Sequence, residues 1–299
     1  MADRYLSANA YCRRIFGEKV YKLALSASVS CPNRDGTLGY GGCIFCSRGG
    51  SGDFAAPSGV PLDVQIEKAK KTLGEKGKGL QYIAYFQSFT GTYGDLDALE
   101  RIYTQSAERE EIVGVSIATR PDCLGERELA MLERLSRKTT LWVELGLQTI
   151  HPKTAEYIRR GYALDCYDRA MEALSALPVH RITHVILGLP GESREEMLQT
   201  VHYAGQRTDG IKLQLLHVLE GTDLAADYRA GKFETLGLDE YCDLVAEAVK
   251  LLPENVVIHR LTGDGAKKDL IAPLWSGNKK LVLNKINTAL RSRGIFPAE

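Results

Sequence analysis

The chain has 299 residues, 44% of them hydrophobic and 25% charged, which suits one globular α/β unit with a full core. Its 38 basic and 38 acidic residues cancel, so no global field draws it toward nucleic acid, although a local basic face stays open. No apolar run is long enough to cross a membrane, the start Met1-Ala2-Asp3-Arg4 does not read as a signal peptide, and an odd count of 7 cysteines points to a reducing, cytoplasmic setting.

Residues 1–18 are polar and aromatic, with Tyr5, Tyr11 and Phe16, and are expected to wrap the edge of the fold near the segment that follows. Tyr21–Ser26 reads as a short strand. It runs into a glycine-rich loop that carries Cys31, Cys43 and Cys46 in the spacing C-x11-C-x2-C. Thiolates are soft ligands suited to zinc or to iron–sulfur clusters. A structural zinc site wants four protein ligands, and this loop offers three. A [4Fe–4S] cluster on three cysteines leaves one iron open to a small molecule, which is the expectation here. The alternative is a zinc loop completed by Cys12 or a distant histidine. Cys12, Cys123, Cys166 and Cys242 otherwise read as packing residues.

Gly49 to Pro61, with Gly-Gly-Ser-Gly-Asp-Phe, reads as a flexible link that can act as a lid. Asp63–Leu73 is expected to be a helix with Val64, Ile66 and Ala69 on its packed side and lysines opposite. Apolar runs then recur at Tyr82–Phe86, Ile112–Ile117, Leu141–Leu145, Ile182–Leu187 and Ile211–Leu216, each before a helical stretch. With the first strand this is the rhythm of an α/β fold built as an open (β/α)6 partial TIM-type barrel. A full eight-stranded barrel that adds Val256–His259 is the second choice.

Chemistry in such a fold sits where strands end. The ends here carry Gln87 to Gly94, Ser116 to Asp122, Glu144 to Thr149 followed by Arg159-Arg160-Gly161, His184 to Glu192, and Lys212 to Thr222. An acid at a buried strand end needs a partner, so Glu144 is expected to meet one. Glu192 also suits the first turn of a helix. Lys212, Gln214 and His217 project toward the mouth by period-two alternation. Val256 to Gly265 is expected to close the barrel. Beyond it Lys267, Lys268, Lys279, Lys280, Lys285, Arg291 and Arg293, with Trp275 among them, form a basic tail that suits RNA or a solvated helix face.

The C-x2-C pair with Phe45 before its last cysteine resembles the signature of radical S-adenosylmethionine (SAM) enzymes, with eleven residues in the first gap where three are usual. Long gaps of this kind are similar to the Elongator catalytic subunit and its smaller bacterial relatives, the YhcC/YtqA-like family. Thr119-Arg120-Pro121-Asp122 looks like Elongator, although relatives carry a glutamate where this chain has Ala118. Gln148 and Arg160 stand at the same offset as a SAM-contacting pair in coproporphyrinogen dehydrogenases. Thr90-Gly91-Thr92 is similar to the loop that holds the SAM amino group, without the usual Gly-Gly-Glu, and Ile186 with Gly188 looks like the adenine-binding strand. The likeness runs from Phe16 to Asp264.

The resemblance implies a radical SAM core over residues 1–222, with 223–299 as a C-terminal extension. It implies a [4Fe–4S] cluster on Cys31, Cys43 and Cys46, and SAM held by Phe45, Thr90, Gly91, Thr92, Arg120, Glu144, Gln148, Arg160, Ile186 and Gly188. Glu144 would stand in for the acid missing at Ala118. It further implies an electron donor such as flavodoxin or ferredoxin, and a tRNA whose wobble uridine is converted from the carboxymethylaminomethyl to the aminomethyl form. Two rival readings are a radical enzyme acting on a small metabolite or protein side chain, and a non-catalytic zinc- or cluster-containing RNA-binding protein.

Overall fold

The computed structural model describes residues 3–50, 52, 54–74, 80–263, 265 and 267–298. Ser51 and Asp53 of the expected lid, and Asp264 of the turn after the last predicted strand, lie outside the described residues.

Six strands in chain order form one parallel run: β2 (Tyr21–Leu25), β3 (Tyr82–Phe86), β4 (Ile112–Thr119), β5 (Thr140–Gln148), β6 (His180–Leu187) and β7 (Gly210–Leu215). The expected strands are thus present in the expected order. The sheet continues through β9 (Val257–Arg260), β1 (Asp3–Ser7) and β11 (Ile295–Pro297), again all parallel. Among the described residues β2 and β11 do not pair, so the barrel stays open between them. The strand expected at Val256–His259 exists, but it extends a partial barrel and does not close a full one.

The core has two sides because each strand is apolar outward and mixed inward. Val115, Ile117, Val143, Leu145, Val185 and Leu213 are each 0% exposed and pack under the helix layer. Each contributes about 1.5–3 kcal/mol on burial. Helix α2 (Leu62–Leu73) lies on β2. Its packed face is Leu62, Ile66, Ala69 and Leu73, while Val64 is 55% exposed. At 100° per residue Val64 sits more than half a turn from Leu62, so the expected grouping with Ile66 fails. Helix α3 (Leu96–Ala107) starts where Asp95 accepts from the amides of Asp97 and Ala98, and α7 (Arg194–Gly205) starts with a Ser193–Glu196 capping box. Glu192 therefore precedes the cap, outside the helix's first turn.

Inside the barrel the side chains stack in tiers. The lowest tier is Ile83, Trp142 and Ile182, covered by Tyr11, Cys12 and Phe16 of helix α1 (Ala8–Phe16). These strand residues lie near the N-terminal ends of β3, β5 and β6, so α1 forms the floor. The N-terminal segment does not wrap the edge near the cysteine loop. It supplies a strand between β9 and the edge strand β11 and plugs the opposite end, because its aromatic residues have an apolar floor to cover.

Candidate active site

The cysteine loop leaves the C-terminal end of β2 and folds on its own main chain. Arg34 N donates to Cys31 O at 2.8 Å, Gly42 N to Asn33 O at 2.7 Å, and Cys46 N to Cys43 O at 3.0 Å. Ile44 is buried and pinned from both sides: its amide donates to Ile158 O and its carbonyl accepts from Leu224 N. The C-x2-C turn is thereby tied to the segment after α5 (Pro152–Tyr157) and to α8 (Asp223–Arg229). All three cysteines stand outside any disulfide, are half-buried and line one cavity of about 210 Å³.

Cys43 sits in a different field from the cysteines outside the loop. A hydrogen bond with Cys46 draws Cys43 down to about 6 against its burial, helped by Arg120, Asn33 and Arg34. Burial pushes Cys12 and Cys242 up to about 11 and Cys123 to about 12, and it raises Cys166. Low-pKa thiols beside cations are ligands or nucleophiles, whereas raised ones are packing residues. Cys12 lies in the floor beneath Trp142, so it does not complete a zinc site in the loop. Among the described residues no three Cys, His, Asp or Glu side chains converge on one ion-sized point. The thiols instead face a cavity that also bears an orphan: Thr90 Oγ1 is fully buried on its wall without a hydrogen-bond partner among the described residues. Three thiols, one of them lowered by its surroundings, and an unfilled polar wall fit a cluster with a small polar ligand beside it.

Residues from the strand ends face the thiols. Phe45, Thr90, Arg120, Glu144, Gln148 and Ile186 line the cavity, and Arg160 completes the wall. Arg160 is 3% exposed and donates to the carbonyls of Leu147, Thr149 and Tyr162 at 3.0, 2.5 and 3.0 Å. Among the described residues no acid pairs with it. Burial lowers its pKa, and the guanidinium stays charged. Arg120, by contrast, forms a two-pronged pair with Asp122 at 2.8 and 2.7 Å. Gln148 has a left-handed backbone, φ 62°, at a bulge between β5 and β6, which turns the strand end toward the cavity.

Three predicted contacts stand elsewhere. Thr92 is buried against Thr119 Oγ1 and Cys123 O, at 2.6 and 2.5 Å, away from the cavity. Gly91 is a close-approach position, since a Cβ there would meet Ile117 Cγ2 at 2.7 Å and Ala118 O at 2.9 Å. Gly188 has φ 90°, and a Cβ there would approach Leu236 at 3.1 Å, so it serves the turn.

Glu144 has more company than its sequence position announced. Its oxygens accept from Lys22 at 2.7 Å, Ser116 at 2.7 Å, His184 Nε2 at 2.6 Å and Lys212. Four donors occupy the four lone-pair sites of a carboxylate. The charges of Lys212 and Lys22 hold it well below the usual carboxylate range despite complete burial.

Sequence reasoning missed Asn33, Tyr162 and Lys22. Buried Asn33 donates to Arg159 O at 2.8 Å, to Arg160 O at 3.3 Å and to Cys43 Sγ at 3.5 Å, which joins the cysteine loop to the arginine loop. The Tyr162 ring lies under both Arg120 and Arg160, at 5.0 and 4.6 Å. Lys22 was legible, since alternation along β2 points it inward.

The basic tail is divided. Lys285 pairs with Asp239 and Arg293 with Asp243, so part of its charge is neutralised on α9 (Leu238–Leu251). Helix α10 (Lys279–Ser292) begins with Lys279 and Lys280 and runs away from the mouth, which leaves Arg291 at the far end. Lys267 and Lys268 lie beside β10 (Leu270–Ala272), which pairs with β8 (Val218–Leu219) at the mouth.

Residues 29–204 match the family pattern described as the radical SAM superfamily, and 208–292 match its C-terminal domain. The uncharacterized protein YtqA of Bacillus subtilis is 42% identical over 98% of this chain and 91% of its own length. Protein YhcC of Escherichia coli is 34% identical over 94% and 91%. A tRNA uridine(34) acetyltransferase of Methanocaldococcus jannaschii is 25% identical over 56% of this chain and 33% of its own length. The solved Elp3 of Methanocaldococcus infernus superposes with a TM-score of 0.62 at 20% identity, covering 76% of this chain and 58% of that one.

Proposed function

Because the chain belongs to the radical SAM superfamily and its YtqA/YhcC branch, whose enzymes use a [4Fe–4S] cluster and SAM, we propose that Cys31, Cys43 and Cys46 hold the cluster and that the substrate is the wobble uridine of a tRNA. Held there, the cluster and SAM would supply one-electron, radical-generating chemistry. The chain's own residues bind and orient. Arg160 takes the SAM carboxylate, since it is a buried guanidinium anchored to three carbonyls and lacks an acid partner among the described residues. Thr90 offers its unused hydroxyl, and Gln148 borders the same wall. Phe45 and Ile186 supply the apolar surface for adenine. Glu144 supports this wall from beneath through its four donors.

The observation that carries the cofactor reading is the meeting of three loop thiols, an acid-free buried arginine and an orphan hydroxyl on one cavity. The tRNA reading is supported by a relative named a tRNA uridine(34) acetyltransferase, and by Lys267, Lys268, Lys279 and Lys280 on the mouth side. We read residues 1–222 as the catalytic unit, 223–299 as the extension that meets the substrate, flavodoxin or ferredoxin as the electron source, and the cytoplasm as its place. No helix among the described residues is long and apolar enough to cross a membrane.

Anaerobic reconstitution should give about four irons per chain, and each Cys→Ala change at the three positions should abolish SAM cleavage. A deletion strain should accumulate carboxymethylaminomethyl uridine at the wobble position and lack the aminomethyl form. Unchanged wobble nucleosides would reject the tRNA reading and leave the radical chemistry intact.

A further inference from the structure

Under the cavity the barrel holds a tier of charges that cofactor binding does not use. Lys22 and Lys212 both contact Glu144, and Lys212 also donates to the Tyr85 hydroxyl at 2.9 Å. His184 gives its Nε2 proton to the same carboxylate and is neutral at pH 7, held to about 4 by burial and by the charge of Lys212. Burial lowers Lys212 well below its ordinary value, opposed by the Glu144 carboxylate in direct contact. Two lysine amines therefore answer one carboxylate. Arg260 lines the cavity just above and its charge acts on both Lys212 and His184. Glu144 is the one acid on the cavity wall among the described residues.

Lys22, partly exposed, and Arg260 on the wall face one acid among the described residues, and cations drawn partly out of water gain from an anion that arrives to meet them. We propose that this tier binds the carboxylate end of the substrate, which enters the cavity and lodges beside Arg260, His184 and Tyr85. The proposal rests on reading the cavity as the substrate chamber and names the group recognised there. A dead-end cavity admits a chain terminus, which a phosphodiester is not. A terminal phosphate brings close to two charges and three oxygens to be desolvated at pH 7, a larger cost than that of a carboxylate. A carboxymethylaminomethyl group ends in a carboxylate of the required charge.

Saturation-transfer NMR on the reconstituted enzyme with SAM tests this, using N-methylglycine, its methyl ester and inorganic phosphate as probes. N-methylglycine should bind, with the ester and phosphate each at least about 10-fold weaker, a tenfold step being the loss of one ordinary charged contact. Lys22→Gln should weaken N-methylglycine by about 30-fold, as expected for losing one partner of a buried charge set. Glu144→Gln should tighten it, because it removes the competing anion. Iron content and the far-UV circular dichroism spectrum report whether each variant is folded. If Lys22→Gln does not hold iron, Arg260→Gln is read in its place by the same criterion. Equal binding of acid and ester, preference for phosphate, or shifts of the same sign in the lysine and glutamate variants would overturn the proposal. The probes contain no nucleic acid, so the result stands whether or not a tRNA is the substrate.

Discussion

Arg160 and Thr90 show how single residues are committed before any ligand arrives. Arg160 is spent on three carbonyls that fix its direction, and its charge is left for an anion. Arg160→Ala should weaken SAM binding about 30-fold or more, as expected for removing the partner of a desolvated charge, with iron content unchanged. Arg160→Lys should recover only part of this, because an ammonium lacks the planar fork that reaches several oxygens at once. Normal SAM affinity in the alanine variant would remove Arg160 from the site. Thr90 gives the opposite kind of test. A buried hydroxyl without a partner costs about 1–3 kcal/mol, so Thr90→Val should leave the ligand-free protein equally stable or more stable. The same change should lower SAM affinity about 5-fold, the size of one neutral hydrogen bond. A stability loss with unchanged SAM binding would mean that the hydroxyl has a partner inside the protein.

Helix α10 illustrates a conflict between local preference and use. Lys279 and Lys280 stand in its first turn, where no acid is present and where the helix dipole disfavours cations by about 0.3–1 kcal/mol each. Asn278 caps the helix. The placement makes sense if the pair meets phosphates near the mouth. Lys279→Glu with Lys280→Glu should make the loss of tRNA binding with salt shallower and lower affinity at 0.1 M salt by roughly tenfold, since two phosphate contacts are replaced by repulsion. Substrate-free SAM cleavage should be unaffected. Equal tRNA binding by the double variant would assign the lysines to a solvated face.

At the scale of the whole molecule the barrel interior sets a pH limit. His180, His184 and His259 are buried and held neutral: burial is the main cause, taking His180 and His184 to about 4 and His259 well below its ordinary value. Lys22 and Lys212 push in the same direction, and Asp209 and Glu144 oppose. His180 Nε2 and His259 Nε2 share a hydrogen bond of 3.0 Å, which requires at least one neutral ring. The unfolded chain therefore binds more protons than the folded one between about pH 6.5 and 4, and stability rises with pH across that window. It is complete above about 6.5 and falls as the pH drops, by up to about 1.4 kcal/mol per pH unit for each histidine. Glu144, depressed well below its ordinary value, adds stability above about pH 4.5 that is lost on further acidification. The Tm should drop steeply from pH 7 to 5. A flat Tm over that range would mean that the histidines titrate alike in both states.

The sequence by itself determined the parallel α/β order, the three-thiol loop, and the strand ends at Arg120 and Gln148. Period-two apolar runs and a glycine-rich thiol spacing are local signals that survive any tertiary arrangement. The likeness to radical SAM enzymes rested on such short motifs in order. What only the tertiary structure decided was which neighbours each of these residues meets. Thr90 and Thr92 are two residues apart, yet one is an orphan on the cavity and the other a buried link to Thr119. Glu144 draws Lys22 and Lys212 from strands 122 and 68 residues away, and the floor is made by an N-terminal helix. Contacts between distant strands depend on barrel curvature and stagger, and no local pattern along one strand carries that information.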